Sequence, residues 1–191
     1  MRVIAGTFKG RVLRTVNDHS VRPATGKTRG AIFNILQNRI AWNNARVLDL
    51  FAGSGSLGIE ALSRGAQYAV FVENSRRVAE FLKQNIEQLH VNGAYAVEIT
   101  DAEMFLKRIA KPFDVAFADP PYAWEQLSQL PTLVFESGAV VNDGYLIIEH
   151  PERMKFQPSP LWRITLVRKY GNTVLTFFQS SDTEIAKDAE K

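Results

Sequence analysis

The chain has 191 residues, of which 46% are hydrophobic and 23% are charged, and its formal net charge at pH 7 is +3. These values predict one soluble globular domain with room for a small extension. The lack of cysteine excludes disulfides and thiolate zinc sites, and three widely separated histidines give no reason to expect a metal site. Because we find neither a signal-peptide pattern nor an apolar run of membrane-spanning length, we expect a cytoplasmic protein without membrane association.

Positive charge is concentrated in the first quarter of the chain. Residues 1–48 contain nine Lys and Arg and one Asp, a net charge of +8, whereas residues 49–191 contain 14 basic and 19 acidic residues. A basic segment beside an acidic body favours a polyanionic partner, although a solvated surface would give the same count. The residues that we assign to nucleic-acid binding are Arg2, Lys9, Arg11, Arg14, Arg22, Lys27 and Arg29.

The first 45 residues are predicted to form a small basic extension, a β-hairpin followed by a helix. Two short strands, about residues 2–5 and 11–15, flank a stretch that contains glycine. Arg22-Pro23 ends this hairpin, and a helix begins near Thr25 or Thr28. Its apolar residues recur at helical spacing and are Ile32, Phe33, Ile35, Leu36 and Ile40.

From Arg46 onwards, predicted strands and helices alternate. The predicted strands are 47–50, 68–72, 96–99, 113–118 and 145–148, and the predicted helices are 56–64, 75–90, 102–110 and 124–136. Two last strands, 162–168 and 173–179, flank a hairpin turn. The order predicts an α/β domain over residues 46–180, with a seven-stranded, mostly parallel, Rossmann-like sheet that ends in an antiparallel hairpin. We expect the polar tail, residues 181–191, to be disordered.

The first motif with chemical meaning runs from Asp49 to Gly58 and includes Gly53 and Gly55 between a strand and a helix. With acidic Glu73 at the end of the next strand, this spacing is typical of a loop that binds a nucleotide-like cofactor. A dinucleotide would bring an anionic pyrophosphate close to Asp49, whereas S-adenosylmethionine brings a cationic sulfonium and ammonium. We therefore favour S-adenosylmethionine, with Asp49 at its methionine end and Glu73 at its ribose. A plain strand-to-helix turn is the structural alternative.

The second motif is Asp119-Pro120-Pro121-Tyr122, directly after a predicted strand and at the edge where doubly wound sheets bind ligands. An exocyclic amine is a poor nucleophile because its lone pair is delocalised into the base. A carboxylate and a backbone carbonyl that accept its two N–H groups would orient it, which is the role that we assign to Asp119 and Pro120. Tyr122 would stack on the base. The alternative is a rigid loop in which Asp119 caps a helix.

Asp101 and Ala102 follow the third strand of the alternation. Asp101 would accept from the adenine amine and the Ala102 N–H would donate to the adenine ring, but an N-cap for the next helix explains Asp101 as well. The predicted cofactor site comprises Asp49, Ala52, Gly53, Gly55, Glu73, Asp101 and Ala102. The predicted catalytic residues are Asp119, Pro120 and Tyr122.

Taken together, these motifs resemble the RsmD family. The matching segments are residues 2–6, 10–11, 22–25, 29–36, 49–58 continuing through 60–66, 119–122 and 169–171, which cover nearly the whole chain except the tail. The resemblance implies a class I methyltransferase fold with an N-terminal RNA-binding extension. It also implies an S-adenosylmethionine-dependent enzyme that methylates the N2 amine of a guanine in 16S ribosomal RNA.

In the mechanism that we expect, a guanine is splayed from its RNA into the pocket. Its amine, held by Asp119 and Pro120, attacks the methyl group in line, and positioning supplies most of the rate because a sulfonium is already a good leaving group. The partner is 16S ribosomal RNA or a partly assembled small subunit, and we expect a monomer. Three alternatives stay open: a DNA adenine-N6 methyltransferase, a nicotinamide-dependent oxidoreductase, and a non-catalytic RNA-binding protein on the same fold.

Overall fold

The computed structural model describes residues 1–15, 26–91 and 94–181. In these residues seven strands form one sheet in the order β3-β2-β1-β4-β5-β7-β6. The strands are β1 (Arg46–Asp49), β2 (Tyr68–Glu73), β3 (Tyr95–Ile99), β4 (Phe113–Ala118), β5 (Val140–Pro151), β6 (Trp162–Tyr170) and β7 (Thr173–Ser180). Strands β1 to β5 pair in parallel, whereas β7 runs antiparallel to both β5 and β6. The predicted fold class is confirmed.

Five α-helices in the described ranges connect or precede these strands. They are α1 (Gly26–Leu36), α2 (Ser56–Ser63), α3 (Arg76–Gln88), α4 (Ala102–Leu106) and α5 (Leu130–Glu136). Helices α2 and α3 match their predicted bounds to within two residues at each end, whereas two helices are clearly shorter than predicted. Helix α4 stops at Leu106, and the predicted helix 124–136 is a turn, then a 3-10 turn at Leu127–Gln129, and only then α5. A proline in the first turn of α5 fixes the start of this helix. An α-helix accommodates proline in its first turn, where no backbone N–H is needed, but not in later turns.

The helices cover both faces of the sheet and give three layers. Val47 of β1 faces the side where Phe33 of α1, Leu57 of α2 and Leu82 of α3 pack. Its neighbour Leu48 faces the opposite side, with helices α4 and α5. Adjacent residues of a strand point to opposite faces, so a strand that is covered on both faces is apolar throughout. This explains why the short runs at β1 and β4 were recognisable as central strands.

The N-terminal segment, residues 1–15, packs on α2. The two predicted arms pair antiparallel there through backbone hydrogen bonds from Val3 N to Arg11 O and from Leu13 N to Met1 O, but the pairing is limited to a bridge between Arg2 and Val12 instead of two full strands. The pairing does not extend further along the chain because Ile4 N and Ala5 N donate to the Glu60 carboxylate, at 2.7 and 3.0 Å. Val3 and Leu13 belong to the same core cluster as the sheet residue Val47. The predicted extension and the predicted catalytic domain therefore share one hydrophobic core.

Some sequence predictions fall outside the described residues. These are the RNA-binding role of Arg22, the break at Arg22-Pro23 and the disorder of the tail from residue 182. Within residues 1–15, 26–91 and 94–181, every helix is too short or too polar to traverse a lipid bilayer.

Candidate active site

A cavity of about 590 Å³ opens at the carboxyl ends of β1, β2 and β4. Asp49 ends β1, Glu73 ends β2, and Asp119 follows β4, so the parallel sheet brings these three carboxylates to one edge. Of the ten residues predicted to bind cofactor or act in catalysis, all but Gly55 line the cavity: Asp49, Ala52, Gly53, Glu73, Asp101, Ala102, Asp119, Pro120 and Tyr122. In the described part of the chain, no three His, Asp or Glu side chains cluster as metal ligands.

Asp49 is a buried carboxyl group on the floor of this cavity, with 1% of its surface exposed. Its Oδ2 accepts a hydrogen bond from Gly58 N at 2.9 Å. Burial raises the pKa of Asp49 to about 7, the nearby charge of Glu73 adds to this effect, and the Gly58 hydrogen bond opposes it. A cation in the cavity would favour the charged form of this carboxyl group. The environment of Asp49 therefore suits a positively charged ligand and disfavours a phosphate.

Glu73 is held in place by two backbone amides. Its Oε2 accepts from Gly53 N at 3.0 Å and its Oε1 accepts from Ser75 N at 2.8 Å. A carboxylate offers about four lone-pair sites, so each oxygen can still accept a hydroxyl group. The arrangement fits a pair of ribose hydroxyls, and it also ties the glycine loop to the start of α3.

The glycines of the loop have different roles. Gly53 has φ +53°, lines the cavity, and leaves open space where a side chain would begin. Gly55 has φ +80° and is the N-cap of α2. A Cβ atom at Gly55 would collide with Leu82, and one at Gly58 would collide with Phe71. The assignment of Gly55 to the cofactor is thus not supported, because packing between α2, α3 and the sheet explains its lack of a side chain.

Asp101 caps helix α4, which is the alternative that the sequence left open. Its Oδ1 accepts from Glu103 N at 2.8 Å and from Met104 N at 3.5 Å. The residue is nevertheless exposed at the cavity, and Ala102 lines the cavity beside it. A carboxylate has acceptor capacity beyond one capping oxygen, so the cap is compatible with a contact to adenine.

The motif 119–122 lines the cavity together with the glycine loop. Asp119 is half-buried, Pro120 is buried, and Tyr122 is 40% exposed. Two aromatic residues that the sequence did not assign, Phe51 and Trp124, also line the cavity, and their rings meet edge to face with centroids 5.0 Å apart. Phe51 lies inside the motif that starts at Asp49, so its position in that motif was a signal in the sequence. For Trp124 the sequence contained no signal beyond its place shortly after Tyr122.

The N-terminal segment reaches the cavity as well, which the sequence did not predict. Thr15 is part of the cavity lining. The buried side chain of Asn85 in α3 bonds to Arg14 and to Ser54 of the glycine loop. A helix asparagine whose partners are this distant in the chain leaves no pattern in a sequence.

The basic residues assigned to RNA binding divide into two groups. Those that lie at the surface are Arg2, Lys9, Arg11, Arg14 and Lys27. Arg29 is 2% exposed, and its guanidinium donates to Arg2 O at 2.5 Å and to Met1 Sδ at 2.6 Å. Burial lowers the pKa of Arg29, while the charge of Glu60 opposes this shift. The RNA-binding assignment of Arg29 is therefore wrong, because its guanidinium holds the N-terminal segment in place.

Known proteins that are similar to this chain match it over most of its length. YlbH of Bacillus subtilis strain 168 is 38% identical over 184 residues, which are 94% of this chain and 98% of that protein. Ribosomal RNA small subunit methyltransferase D of Escherichia coli strain K12 is 34% identical over 149 residues, 78% of this chain and 74% of that protein. The solved structure of Escherichia coli yhhF has a TM-score of 0.82 at 30% identity, covering 95% of this chain and 98% of that chain.

The sequence model of the family described as "Conserved hypothetical protein 95" matches residues 1–179. The match includes the N-terminal basic segment, both cavity motifs and the C-terminal hairpin. The chain belongs to the family described as Conserved hypothetical protein 95, the RsmD family that its motifs resemble.

Proposed function

We propose that the protein transfers the methyl group of S-adenosylmethionine to the exocyclic N2 amine of a guanine in 16S ribosomal RNA. Its family and its relatives make it an rRNA methyltransferase. The observation that carries the finer proposal is the cavity that Asp49, Glu73 and Asp119 all line. Asp49 suits the positively charged methionine end of the cofactor, and Glu73 suits its ribose hydroxyls. Asp119 suits the amine of the target base.

The cofactor side of the site is suited to S-adenosylmethionine, which when bound supplies an electrophilic methyl group on a cationic sulfonium. Asp49, with its pKa raised to about 7 by burial, would be stabilised as a carboxylate by the positive methionine end. Glu73 would accept the ribose hydroxyls through the oxygens that Gly53 N and Ser75 N already orient. Asp101 and Ala102 would hold the adenine. These groups bind and orient, and none of them needs to move a proton.

The target side of the site is suited to an amino group on a flat base. The Asp119 carboxylate and the Pro120 carbonyl accept the two N–H groups and aim the nitrogen lone pair into the cavity. The exposed ring of Tyr122 offers a stacking face, and stacking on an aromatic side chain contributes about 1–3 kcal/mol per base. The surplus proton leaves after methyl transfer, because the positively charged methylated amine is a strong acid. A dedicated general base is therefore unnecessary.

The RNA contact is proposed for the exposed basic residues near the N-terminus: Arg2, Lys9, Arg11, Arg14 and Lys27. Thr15 lines the cavity, so this segment leads from the surface to the cavity that the target base would enter. Phosphate groups contacted there would hold the strand while the guanine enters the cavity. Within this proposal the substrate is 16S ribosomal RNA or a partly assembled small subunit, and the enzyme acts in the cytoplasm as a monomer.

Labelled methyl transfer followed by nucleoside analysis tests the proposal. Purified protein is incubated with labelled S-adenosylmethionine and small-subunit RNA, free or in subunits, that has never been methylated at its own sites. N2-methylguanosine as the labelled product supports the proposal. N6-methyladenine formed in DNA would favour the DNA alternative, cofactor binding without transfer to any RNA would favour a binding protein, and binding of NAD in place of S-adenosylmethionine would favour an oxidoreductase.

A further inference from the structure

The hydroxyl groups of Tyr122 and Thr173 lie 3.0 Å apart, at hydrogen-bond distance, although 51 residues separate them in the chain. Tyr122 belongs to the cavity wall, whereas Thr173 is the first residue of β7. The contact therefore connects the motif that follows β4 to the C-terminal hairpin of the sheet. Thr173 has no part in the sequence motifs or in the proposed chemistry.

The Thr173 end of this contact is fixed by the sheet. Thr173 pairs with Pro151 of β5 on one side and with Tyr170 of β6 on the other. The hairpin turn is fastened next to it, because Glu152 N donates to Asn172 O at 3.2 Å. Its hydroxyl is thus a stationary partner for a side chain at the cavity mouth.

The Tyr122 end is fixed in its backbone but not in its side chain. Two prolines precede Tyr122, and Trp124 N donates to Pro121 O at 2.8 Å, which closes a turn around it. Trp124 is itself anchored on Phe51. The Tyr122 ring, however, is 40% exposed, and the Thr173 contact lies at the far end of that ring. Without this contact the ring would be able to rotate in solvent.

We propose that Thr173 is a positioning residue that holds the Tyr122 ring in the orientation in which it receives the target base; this inference rests on the proposed function. A ring that is already immobilised loses no further rotational freedom when a base stacks on it. Removal of the Thr173 hydroxyl should therefore lower kcat/KM for RNA by about three- to tenfold. Cofactor affinity should not change, because the contact lies on the target side of the cavity.

Two isosteric substitutions on the same hairpin make the test specific. Thr173→Val removes the hydroxyl partner of Tyr122, whereas Thr165→Val removes a hydroxyl whose partner is the Phe177 carbonyl between β6 and β7, away from the cavity. We expect Thr173→Val and Tyr122→Phe to lower kcat/KM for RNA equally, and the double variant to lose no more than either alone. Thr173→Ser, which keeps the hydroxyl, should retain activity, and Thr165→Val should match the unsubstituted protein.

Three results would overturn the proposal: equal kcat/KM for Thr173→Val and Thr165→Val, additive losses in the double variant, or a loss in Thr173→Val matched by weaker S-adenosylmethionine binding. Fluorotyrosine NMR gives a readout that needs no RNA. The Tyr122 signal, assigned by its absence in Tyr122→Phe, should move in Thr173→Val and not in Thr165→Val. If the unsubstituted protein methylates no RNA, the proposed function fails, and the NMR result then still decides whether Thr173 positions Tyr122.

Discussion

Asn85 and Arg14, 71 residues apart, hold each other by two hydrogen bonds: Arg14 N donates to Asn85 Oδ1 at 2.8 Å, and Asn85 Nδ2 donates to Arg14 O at 2.9 Å. The same Nδ2 donates to Ser54 O at 3.0 Å. One buried side chain of α3 therefore fastens the basic N-terminal segment to the glycine loop. Hydrogen bonds of this one side chain therefore connect the segment that we propose to bind RNA with the loop that we propose to bind the cofactor.

Asn85→Ala should lower the stability of the protein and its affinity for both ligands. It leaves the Arg14 and Ser54 backbone groups without their partner, and buried polar groups that lose a partner cost about 1–3 kcal/mol each. We expect the free energy of unfolding to fall by about 2–4 kcal/mol and the affinities for both S-adenosylmethionine and RNA to drop. Asn34→Ala, at an exposed position of α1, is the matched control. Urea unfolding that gives the same result for both variants would contradict the role of Asn85.

Cofactor binding should depend on pH through Asp49. The pKa of this carboxyl group is raised to about 7 in the protein, and a cationic ligand requires its charged form. Affinity for S-adenosylmethionine should therefore fall as pH falls below 7, approaching roughly tenfold per pH unit. Calorimetry between about pH 5.5 and 7.5 measures this, with Asp49→Asn as the variant whose weak residual binding shows no such pH dependence. A pH-independent affinity in the unsubstituted protein would refute the assignment.

The same substitution should stabilise the protein without ligand. A carboxyl group with a raised pKa in the folded state opposes folding once pH exceeds its unfolded value, and the penalty is complete above pH 7. Asparagine keeps an oxygen for Gly58 N and carries no charge. Asp49→Asn should raise the free energy of unfolding by about 1–3 kcal/mol at pH 8 and by less as pH falls towards 4. A gain that is equal at both pH values would show that burial of charge is not its cause.

Glu73→Ala should affect both cofactor and loop. The substitution removes the proposed ribose acceptor and leaves Gly53 N and Ser75 N without their partner. We expect S-adenosylmethionine to bind about tenfold more weakly or worse, and the free energy of unfolding to fall by about 1–2 kcal/mol. Glu98→Ala, an exposed glutamate on the neighbouring strand β3, should change neither quantity.

Asp119→Ala should greatly slow methyl transfer while leaving S-adenosylmethionine affinity nearly unchanged. Removal of a charged hydrogen-bond partner of the amine costs about 2–4 kcal/mol of transition-state stabilisation, roughly 30- to 1000-fold in rate. Single-turnover methylation of RNA measures the effect, and Asp143→Ala at an exposed position is the control. A folded Asp119→Ala variant that keeps more than half of the activity would mean that another group orients the target.

The sequence predicted those parts of the molecule that local patterns determine. Apolar runs at β1 and β4 followed by Asp49 and Asp119 predicted the sheet edge and its carboxylates, because parallel strands must end at the same edge. The contact between Tyr122 and Thr173 had no such pattern, since it depends on how β7 sits beside the cavity. Contacts of this kind are set by tertiary packing and leave no periodicity in a chain.

The count of charged residues misassigned Arg29 for a related reason. Arg29 contributes to the +8 charge of residues 1–48, yet its guanidinium is buried under Met1 and Arg2. A count along the sequence cannot separate a charge at the surface from one that is used inside. The periodicity of α1 contained a partial signal, because Arg29 lies three residues before Ile32 and seven before Leu36, on the face that packs into the core.

The basic segment yields the last prediction, which contrasts exposed and buried arginines. Lys9→Glu and Arg14→Glu should weaken RNA binding and lower the slope of log affinity against log salt by roughly 0.7–0.9 for each phosphate group that the segment no longer binds. Arg29→Met should instead lower the melting temperature and leave that slope unchanged, because a buried guanidinium contacts no phosphate. Lys107→Glu and Lys111→Glu, exposed in the segment between helix α4 and strand β4, are controls for net charge. If these controls reduce the slope as much as the N-terminal variants, the protein attracts RNA by its overall charge, and residues 1–15 form no specific binding surface.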